Sequence, residues 1–418
     1  MHDLLGLSFS FLLFTWLGFS CLRRTPQEVK VVVKICLLSH ALSAVAMILL
    51  SLYVYPGDMG AYFRLGKALV EGRAGFGGAT TYDLLRALCG STIPTVICSG
   101  SSTGSMIAAS ALLQTCLGTS ILTVTIVFST GAICGQWLIF SGLNAYMPPA
   151  CQRPLAYGTL LVPSVVFWTS AILKESTAVF GLGLLVWGSL AFARKPSLRA
   201  GFACGMGAVI VALFKAYVLL PCALALGAWV GLRRVKARGR GLSGFGLILG
   251  AAMSIALVVL VAQAFPRYDP ANFTEEAEKL QRIGQRVRGG STFMLSKEPL
   301  QGTSSLVAAA PLAVLTALFR PFPWEAGNVF GLIGGFEAFA FLLLFLRAIS
   351  KNGAKRCFVQ LLASPELLAC FVFSLTLAIG VGLTTTNMGT LSRYRVPMLP
   401  FYATCLLVLN GKSEASSS

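Results

Sequence analysis

Apolar runs of about 20 residues recur along the whole chain and are separated by short polar links. A helix of that length crosses a hydrocarbon core of about 30 Å. In lipid each backbone N–H and C=O must be paired within its own segment, which favours helices, and the alternating polarity of a membrane barrel is absent. Of the 418 residues, 56% are hydrophobic and only 11% are charged, a composition that excludes an ordinary soluble domain.

This pattern predicts an all-α polytopic integral membrane protein with about ten to twelve transmembrane helices. Residues 1–418 are expected to form a single membrane domain. The outer loops 55–103 and 266–304 are predicted to carry interfacial helices without forming separate domains. Asp58 is a candidate cap for the helix in the first loop, and Asn272 with Glu275 forms a candidate capping box in the second.

Two segments do not fit a simple series of crossings. Gly201–Trp229 is long enough for two short spans broken near Lys215 and Pro221, or for one tilted span, and its basic flanks favour two. Leu306–Trp324 contains prolines, and a full crossing there would place the basic end of the next span outside. We therefore predict a re-entrant segment near residues 306–324, which lipid permits only where the backbone lines a protein cavity.

The dipeptide Lys174-Glu175 is the only polar link between two apolar runs, Leu155–Leu173 and Ser176–Phe192. Two spans joined so tightly are predicted to form a helical hairpin. The charged pair would then mark the membrane surface where the hairpin turns.

Positive charge is concentrated in a few of the links between apolar runs. The net charge of +18 could indicate nucleic acid binding, but this placement is the positive-inside pattern of membrane proteins, so no nucleic acid partner is expected. The pattern predicts an N-terminus outside and a cytoplasmic C-terminus. The basic links are Arg23–Lys34, Arg194–Arg199, Arg233–Arg240 and Arg347–Arg356.

The same layout places a set of charges from four separate segments on the outer face, several of them at the ends of spans. Arginine binds phosphate oxygens as a two-pronged fork and lysine binds them as a point charge, while a carboxylate can act as a general base on a sugar hydroxyl. The alternative is that these residues only anchor spans at the interface, that Lys174 and Glu175 neutralise each other, and that Asp58 only caps a helix. The residues are Asp58, Lys174, Glu175, Arg320, Glu325, Arg393 and Arg395.

Two further ionisable residues, Lys215 and Glu337, fall inside predicted spans, where charges are costly and are usually paired or functional. They are expected either to form a buried salt bridge or to act as a proton relay, and a relay would indicate a transporter. The chain has only two histidines and no Cys-X-X-Cys motif, so neither a zinc nor a haem site is expected. No cofactor is predicted, and a divalent metal is left open.

Three phrases resemble a group of bacterial polytopic proteins of surface polysaccharide assembly. They are Pro163–Ser170 with Leu173–Glu175, Leu318–Glu325, and Gly389–Pro400. The group comprises oligosaccharide repeat-unit polymerases and GT-C-like multi-span glycosyltransferases that use polyprenyl-phosphate donors. The resemblance implies a location in the bacterial inner membrane, with polyprenyl-linked sugar, membrane lipid and other polysaccharide-assembly proteins as partners.

The resemblance also implies roles for several residues. Asp58 stands in the first outer loop, where the transferases carry a catalytic acid, and Arg320, Arg393 and Arg395 correspond to outer-loop arginines that hold a lipid-linked pyrophosphate. We expect Lys174 to join this clamp, with Glu175 and Glu325 orienting the cations. Two alternatives remain open: a transporter or flippase for lipid-linked oligosaccharide, and a non-catalytic membrane subunit of such an assembly.

Overall fold

The computed structural model describes residues 2–72, 79–237, 275, 278–279, 292–295, 302–327 and 329–411. Helices dominate these residues, and no strand occurs among them beyond an isolated bridge between Thr292 and Asn387. The apolar run Phe245–Phe265, the C-terminal tail and, apart from residues 275, 278 and 279, the predicted helix that begins near Asn272 lie outside the described residues.

The described α-helices follow one another with short connections, several of which are single 3₁₀ turns. In chain order they are α1 (His2–Arg24), α2 (Lys30–Tyr53), α3 (Gly57–Glu71), α4 (Thr81–Leu88), α5 (Ser102–Leu117), α6 (Ile121–Asn144), α7 (Gln152–Leu160), α8 (Pro163–Thr169), α9 (Lys174–Arg194), α10 (Leu198–Lys215), α11 (Leu219–Ala237), α12 (Gly302–Phe319), α13 (Val329–Asn352), α14 (Ala354–Ala363), α15 (Pro365–Thr384), α16 (Met388–Tyr394) and α17 (Leu399–Asn410).

Eight helical segments of the described residues are long and apolar enough to cross a membrane, which confirms the prediction of an all-α polytopic membrane protein. The identity of the membrane and the orientation of the termini stay predictions. The eight segments are His2–Arg24, Gln27–Tyr53, Ile121–Asn144, Lys174–Arg194, Leu198–Lys236, Gly302–Phe319, Gly331–Asn352 and Pro365–Thr384.

The chain divides into two compact units, one made of Met1–Ala145 with Thr159–Ala216 and the other of Tyr146–Gly158 with Tyr217–Ser418. In the first unit α9 packs closely between α6 and α10. A β-carbon on Gly183 of α9 would lie 2.2 Å from the carbonyl oxygen of Gly135 on α6, so the two backbones touch. Apolar side chains gain little by leaving lipid, and small residues of this kind let spans pack tightly instead.

Helix α3 forms where the first outer loop was predicted to carry one. Pro56 is its N-cap residue, no side chain caps it, and Asp58 stands in its first turn, so the predicted capping role of Asp58 is wrong. The apolar stripe that includes Tyr62 and Leu69 is buried, and the helix packs on α5.

The prediction of one helical span over Leu155–Leu173 is wrong, because the segment is broken into two helices, and the predicted hairpin at Lys174-Glu175 stays a prediction. Helix α7 ends at Leu160, and α8 begins at Pro163, which lacks an N–H and holds Val162 in an extended conformation. After α8 the residues Ser170–Leu173 are irregular and buried. Non-helical backbone within a membrane is tolerated only where protein surrounds it, and the burial of this segment meets that condition.

Two other predicted breaks had different outcomes. The α-helical backbone does change near Lys215, where α10 ends and a 3₁₀ turn, Ala216–Val218, leads into α11. Helix α12 instead runs unbroken through Pro311, and the helical segment ends before the Arg320–Pro321 bond. Its 18 residues extend about 27 Å, which is close to the thickness of a hydrocarbon core of about 30 Å. The length alone does not distinguish a crossing from a re-entrant segment, and the re-entrant topology stays a prediction.

In the second unit α15 is the central helix and packs against α11, α12 and α17. A β-carbon on Gly382 of α15 would lie 2.3 Å from the carbonyl oxygen of Ala313 on α12. At the other end of α15 the buried carboxylate of Glu366 accepts hydrogen bonds from Trp229 Nε1 (3.0 Å) and Ser364 Oγ (3.1 Å).

Candidate functional site

Each unit gathers part of the predicted site residues. We call Asp58, Lys174, Glu175 and Lys215 the first charge cluster, which lies in the first unit. We call Arg320, Glu325, Glu337, Arg393 and Arg395 the second charge cluster, which lies in the second unit. The prediction that the outer charges share one pocket joins residues of both units and stays a prediction.

Lys174 is held at the beginning of two helices. Its Nζ donates to Ser102 Oγ (3.1 Å) and Thr103 Oγ1 (2.8 Å) in the first turn of α5, and Lys174 itself is the first residue of α9. The ammonium also lies 5.9 Å from the ring centre of Tyr62. One turn before Tyr62 on α3 stands Asp58, which is exposed. The ammonium, the two hydroxyls and two helix N-termini give this region a positive character.

Glu175 and Lys215 form a buried ion pair. Lys215 Nζ donates to Glu175 Oε1 at 3.0 Å, and the two side chains are only 1% (Glu175) and 3% (Lys215) exposed. Each charge also suits its helix end, because Glu175 stands in the first turn of α9 and Lys215 in the last turn of α10. Glu175 therefore orients Lys215. The alternative bridge predicted between Lys215 and Glu337 joins the two units and stays a prediction.

A buried polar group that the sequence analysis missed lies in the same unit. His40, in the middle of α2, contacts Gln136 Oε1 through Nε2 (2.7 Å), and Ser170 Oγ (2.9 Å) and Ser129 Oγ (3.3 Å) through Nδ1. Ser176 Oγ donates to Ala171 O at 2.5 Å. These bonds hold the irregular segment before Lys174 from both ends. A histidine within an otherwise apolar run was the available signal.

Arg320 is oriented by Glu325. Its Nε donates to both carboxylate oxygens, at 3.0 Å (Oε1) and 3.1 Å (Oε2), and the backbone N–H of Phe322 donates to Glu325 Oε2 at 2.8 Å. The guanidinium carbon lies 5.3 Å from the ring centre of Phe293. Partial burial raises the pKa of Glu325, but the bonds from Arg320 and Phe322 outweigh it, so the net pKa is lowered.

Arg395 is fully buried and links the second cluster together. Its Nη1 donates to the carbonyl oxygen of Arg320 at 2.8 Å, and its Nη2 lies 3.7 Å from Glu337 Oε1. Within the described part of the chain, Arg395 Nε and Nη2 make no hydrogen bond. Burial lowers the pKa of this guanidinium, and the Glu337 carboxylate opposes that shift.

Arg393 lies on α16, two residues before Arg395, and is half-buried. Asn387 caps this short helix, because its Oδ1 accepts from the N–H groups of Gly389 (2.8 Å) and Thr390 (3.2 Å). Phe293 N donates to Thr386 O at 2.9 Å just before the cap. The capped helix fixes the direction of the segment that carries Arg393 and Arg395.

Taken separately, the two clusters differ in the chemistry they support. The second has three guanidinium groups and two carboxylates, which suits an anion with several oxygens. The first has an exposed carboxylate and an ammonium, which suits proton transfer beside an anion. In the described ranges no three His, Cys, Asp or Glu side chains are grouped as metal ligands.

Comparisons with known proteins add no relative to this picture. No protein-family model, no curated protein and no solved structure matches this chain.

Proposed function

We propose that this protein transfers or polymerises sugars from a polyprenyl-phosphate or polyprenyl-pyrophosphate carrier at the outer face of the bacterial inner membrane, during surface polysaccharide assembly. The observation that carries the proposal is the arginine cluster of the second unit. Arg395 ties the backbone carbonyl of Arg320 to the segment that bears Arg393, so the segments that carry the three arginines are held together at the ends of apolar helices.

The arginines have different roles in this proposal. Arg320 is pre-oriented by Glu325, and 28% of its side chain is exposed to receive a second acceptor. Arg393 is half-buried and also open to contact. These two bind phosphate oxygens directly, and the buried Arg395 positions them. A guanidinium fixed by a carboxylate loses less side-chain entropy on binding a phosphate than a free one.

The remaining role in the proposal is the one that the sequence analysis predicts for Asp58. Asp58 accepts the proton of the acceptor hydroxyl as that oxygen attacks the anomeric carbon of the donor sugar. The bond from that carbon to the carrier phosphate oxygen breaks, and its electron pair stays on the phosphate. Arg320 and Arg393 stabilise the negative charge that develops there, since fixed charges aimed at developing charge stabilise a transition state. The contribution expected of Lys174, in the first unit, stays a prediction.

The test is transfer by the purified protein in liposomes with a polyprenyl-linked sugar donor and labelled acceptor. Arg320→Ala and Arg393→Ala are each expected to lower the transfer rate about 100-fold, the effect of removing one charge-stabilising donor. Arg347→Ala is the matched control, because Arg347 is an exposed cation near the end of α13. If Arg393→Ala and Arg395→Ala both leave polymer yield and chain length unchanged, the clamp is abandoned.

A flippase for the same lipid is the second candidate, and the buried Glu175–Lys215 pair at 3.0 Å favours it, because ionisable pairs within membrane segments often serve transport. Movement of a fluorescent polyprenyl phosphate between leaflets of the same liposomes separates the two functions. If the lipid moves between leaflets without sugar transfer, and Glu175→Gln abolishes that movement, the flippase function replaces the transfer proposal. Absence of both activities would indicate a non-catalytic subunit.

A further inference from the structure

Helix α14 is a short amphipathic helix between two candidate spans. One residue, Gly353, separates it from α13, and one residue, Ser364, separates it from α15. Gly353 has a φ of +74°, a conformation that lets the chain turn sharply and that glycine adopts without steric cost. Because spans adjoin both ends of α14, its ten residues are held close to a membrane boundary.

One side of α14 is packed on the protein. Cys357 and Leu361, one turn apart, are buried, and the Cys357 thiol donates to the carbonyl oxygen of Ala348 on α13. Lys236 Nζ donates to the carbonyl oxygen of Ala363, so a cation from α11 stabilises the C-terminus of the helix. The helix is therefore fixed in orientation by contacts within the second unit.

The rest of the helix surface carries uncovered apolar side chains among basic ones. Phe358 is 58% exposed and Val359 is 53% exposed, and only the buried Cys357 separates them from the exposed cations Lys355 and Arg356. The sequence from Ala338 to Pro365 contains four basic residues and no acidic one. A helix with large apolar side chains beside lysine and arginine has the composition of helices that lie in the membrane interface.

We propose that α14 binds anionic phospholipid, with Phe358 and Val359 inserted among the acyl chains and Lys355 and Arg356 on the headgroup phosphates. The charge of the stretch is complementary to an anionic leaflet, and in the predicted orientation that leaflet is the cytoplasmic one. The tether at both ends favours lipid as the occupant, because the bilayer that surrounds α13 and α15 is always within reach of this face.

The test uses the full chain in vesicles of equal parts phosphatidylcholine and phosphatidylglycerol, with photoreactive benzoylphenylalanine in place of Val359. After illumination, mass spectrometry identifies what is attached. We expect phospholipid adducts with an excess of phosphatidylglycerol. Lys355→Gln is expected to lower the ratio of phosphatidylglycerol to phosphatidylcholine adducts about fivefold, and Lys355→Gln with Arg356→Gln about 25-fold, as expected for removal of surface charges.

The matched control removes two exposed cations, Arg194 and Lys195, from another basic link that has no amphipathic helix. The variant Arg194→Gln with Lys195→Gln should leave the adduct ratio unchanged. Because Lys355 is exposed, Lys355→Gln is expected to fold normally, and it tests the proposal even if the double variant folds poorly. Adducts to a co-purifying protein, absence of lipid adducts, or equal yields from both lipids would each overturn the proposal.

Discussion

The two charge clusters contain buried ion pairs of very different quality. In the first unit Lys215 and Glu175 lie 3.0 Å apart with a direct hydrogen bond, each in the helix turn that favours its charge. In the second unit Arg395 lies 3.7 Å from Glu337, and two of its donor nitrogens make no hydrogen bond among the described residues. The first pair is complete, whereas the guanidinium of the second has capacity for a further acceptor.

The contrast separates stabilising from functional charge. A buried pair with good geometry loses several kcal/mol when one partner is removed, because the other charge is left without compensation. The open donors of the buried Arg395 guanidinium are instead unsatisfied groups that an ordered water would complete, and in the proposed function Arg395 positions the arginines that bind phosphate. Lys215 and Glu175 are therefore expected to matter most for folding, and the arginines of the second unit for substrate.

The largest expected effect is on the first pair. Lys215→Met should lower the free energy of unfolding by about 3–5 kcal/mol, since it removes the 3.0 Å bond of a cation to the buried Glu175 carboxylate. Adding Glu175→Leu should restore most of this loss, because two apolar side chains need no partner. Unfolding by SDS in mixed micelles measures both. The control is Lys67→Met, which breaks a partly exposed pair with Glu71 (3.6 Å) on α3 and should cost less than about 0.5 kcal/mol.

A double-mutant cycle on Arg395 and Glu337 sharpens the comparison. Their coupling energy, from Arg395→Met, Glu337→Leu and the double variant, should be about 1 kcal/mol, because the 3.7 Å contact is not a hydrogen bond. The coupling between Lys215 and Glu175 should be at least twice as large. Equal coupling energies in the same micelle assay would remove the distinction between the clusters.

The smallest effect is expected at Glu325, whose folded-state pKa is lowered below its ordinary value of 4.5. A lowered pKa stabilises the fold above the ordinary value, and this contribution is lost as the pH falls through the folded-state pKa. Because the pair with Arg320 is partly exposed, it should amount to less than about 1 kcal/mol. Melting temperatures of the native chain and Glu325→Gln should differ at neutral pH and converge well below pH 4.5. If the melting temperatures still differ in acid, ionisation of the Glu325 carboxylate is not the source of the stability difference.

The sequence was sufficient for the fold class because runs of apolar residues long enough to cross lipid have few alternatives. It failed at Leu155–Leu173, since hydropathy reports burial and does not distinguish burial in lipid from burial in protein. Pro163 was the local signal that the segment is broken, and it was not used.

Pairing between charges was harder to predict. Lys215 was assigned an intramembrane partner on hydropathy alone, and the salt bridge to Glu175 could not be read from residues 40 positions apart. The buried contacts of His40 with Ser170 depend on the same tertiary packing. The dipeptide Lys174-Glu175 was recognised as important, yet the two side chains point to different partners, and only the packing of α9 on its neighbours determines which.

The irregular segment Ser170–Leu173 has a consequence for synthesis of the chain. Its backbone cannot face hydrocarbon, so it must be sheltered as it leaves the insertion machinery. Helices α2 and α6, which supply His40 and Gln136, are both translated earlier. The helices that bury the irregular segment are therefore synthesised before it, and the segment can pack against them as soon as it emerges.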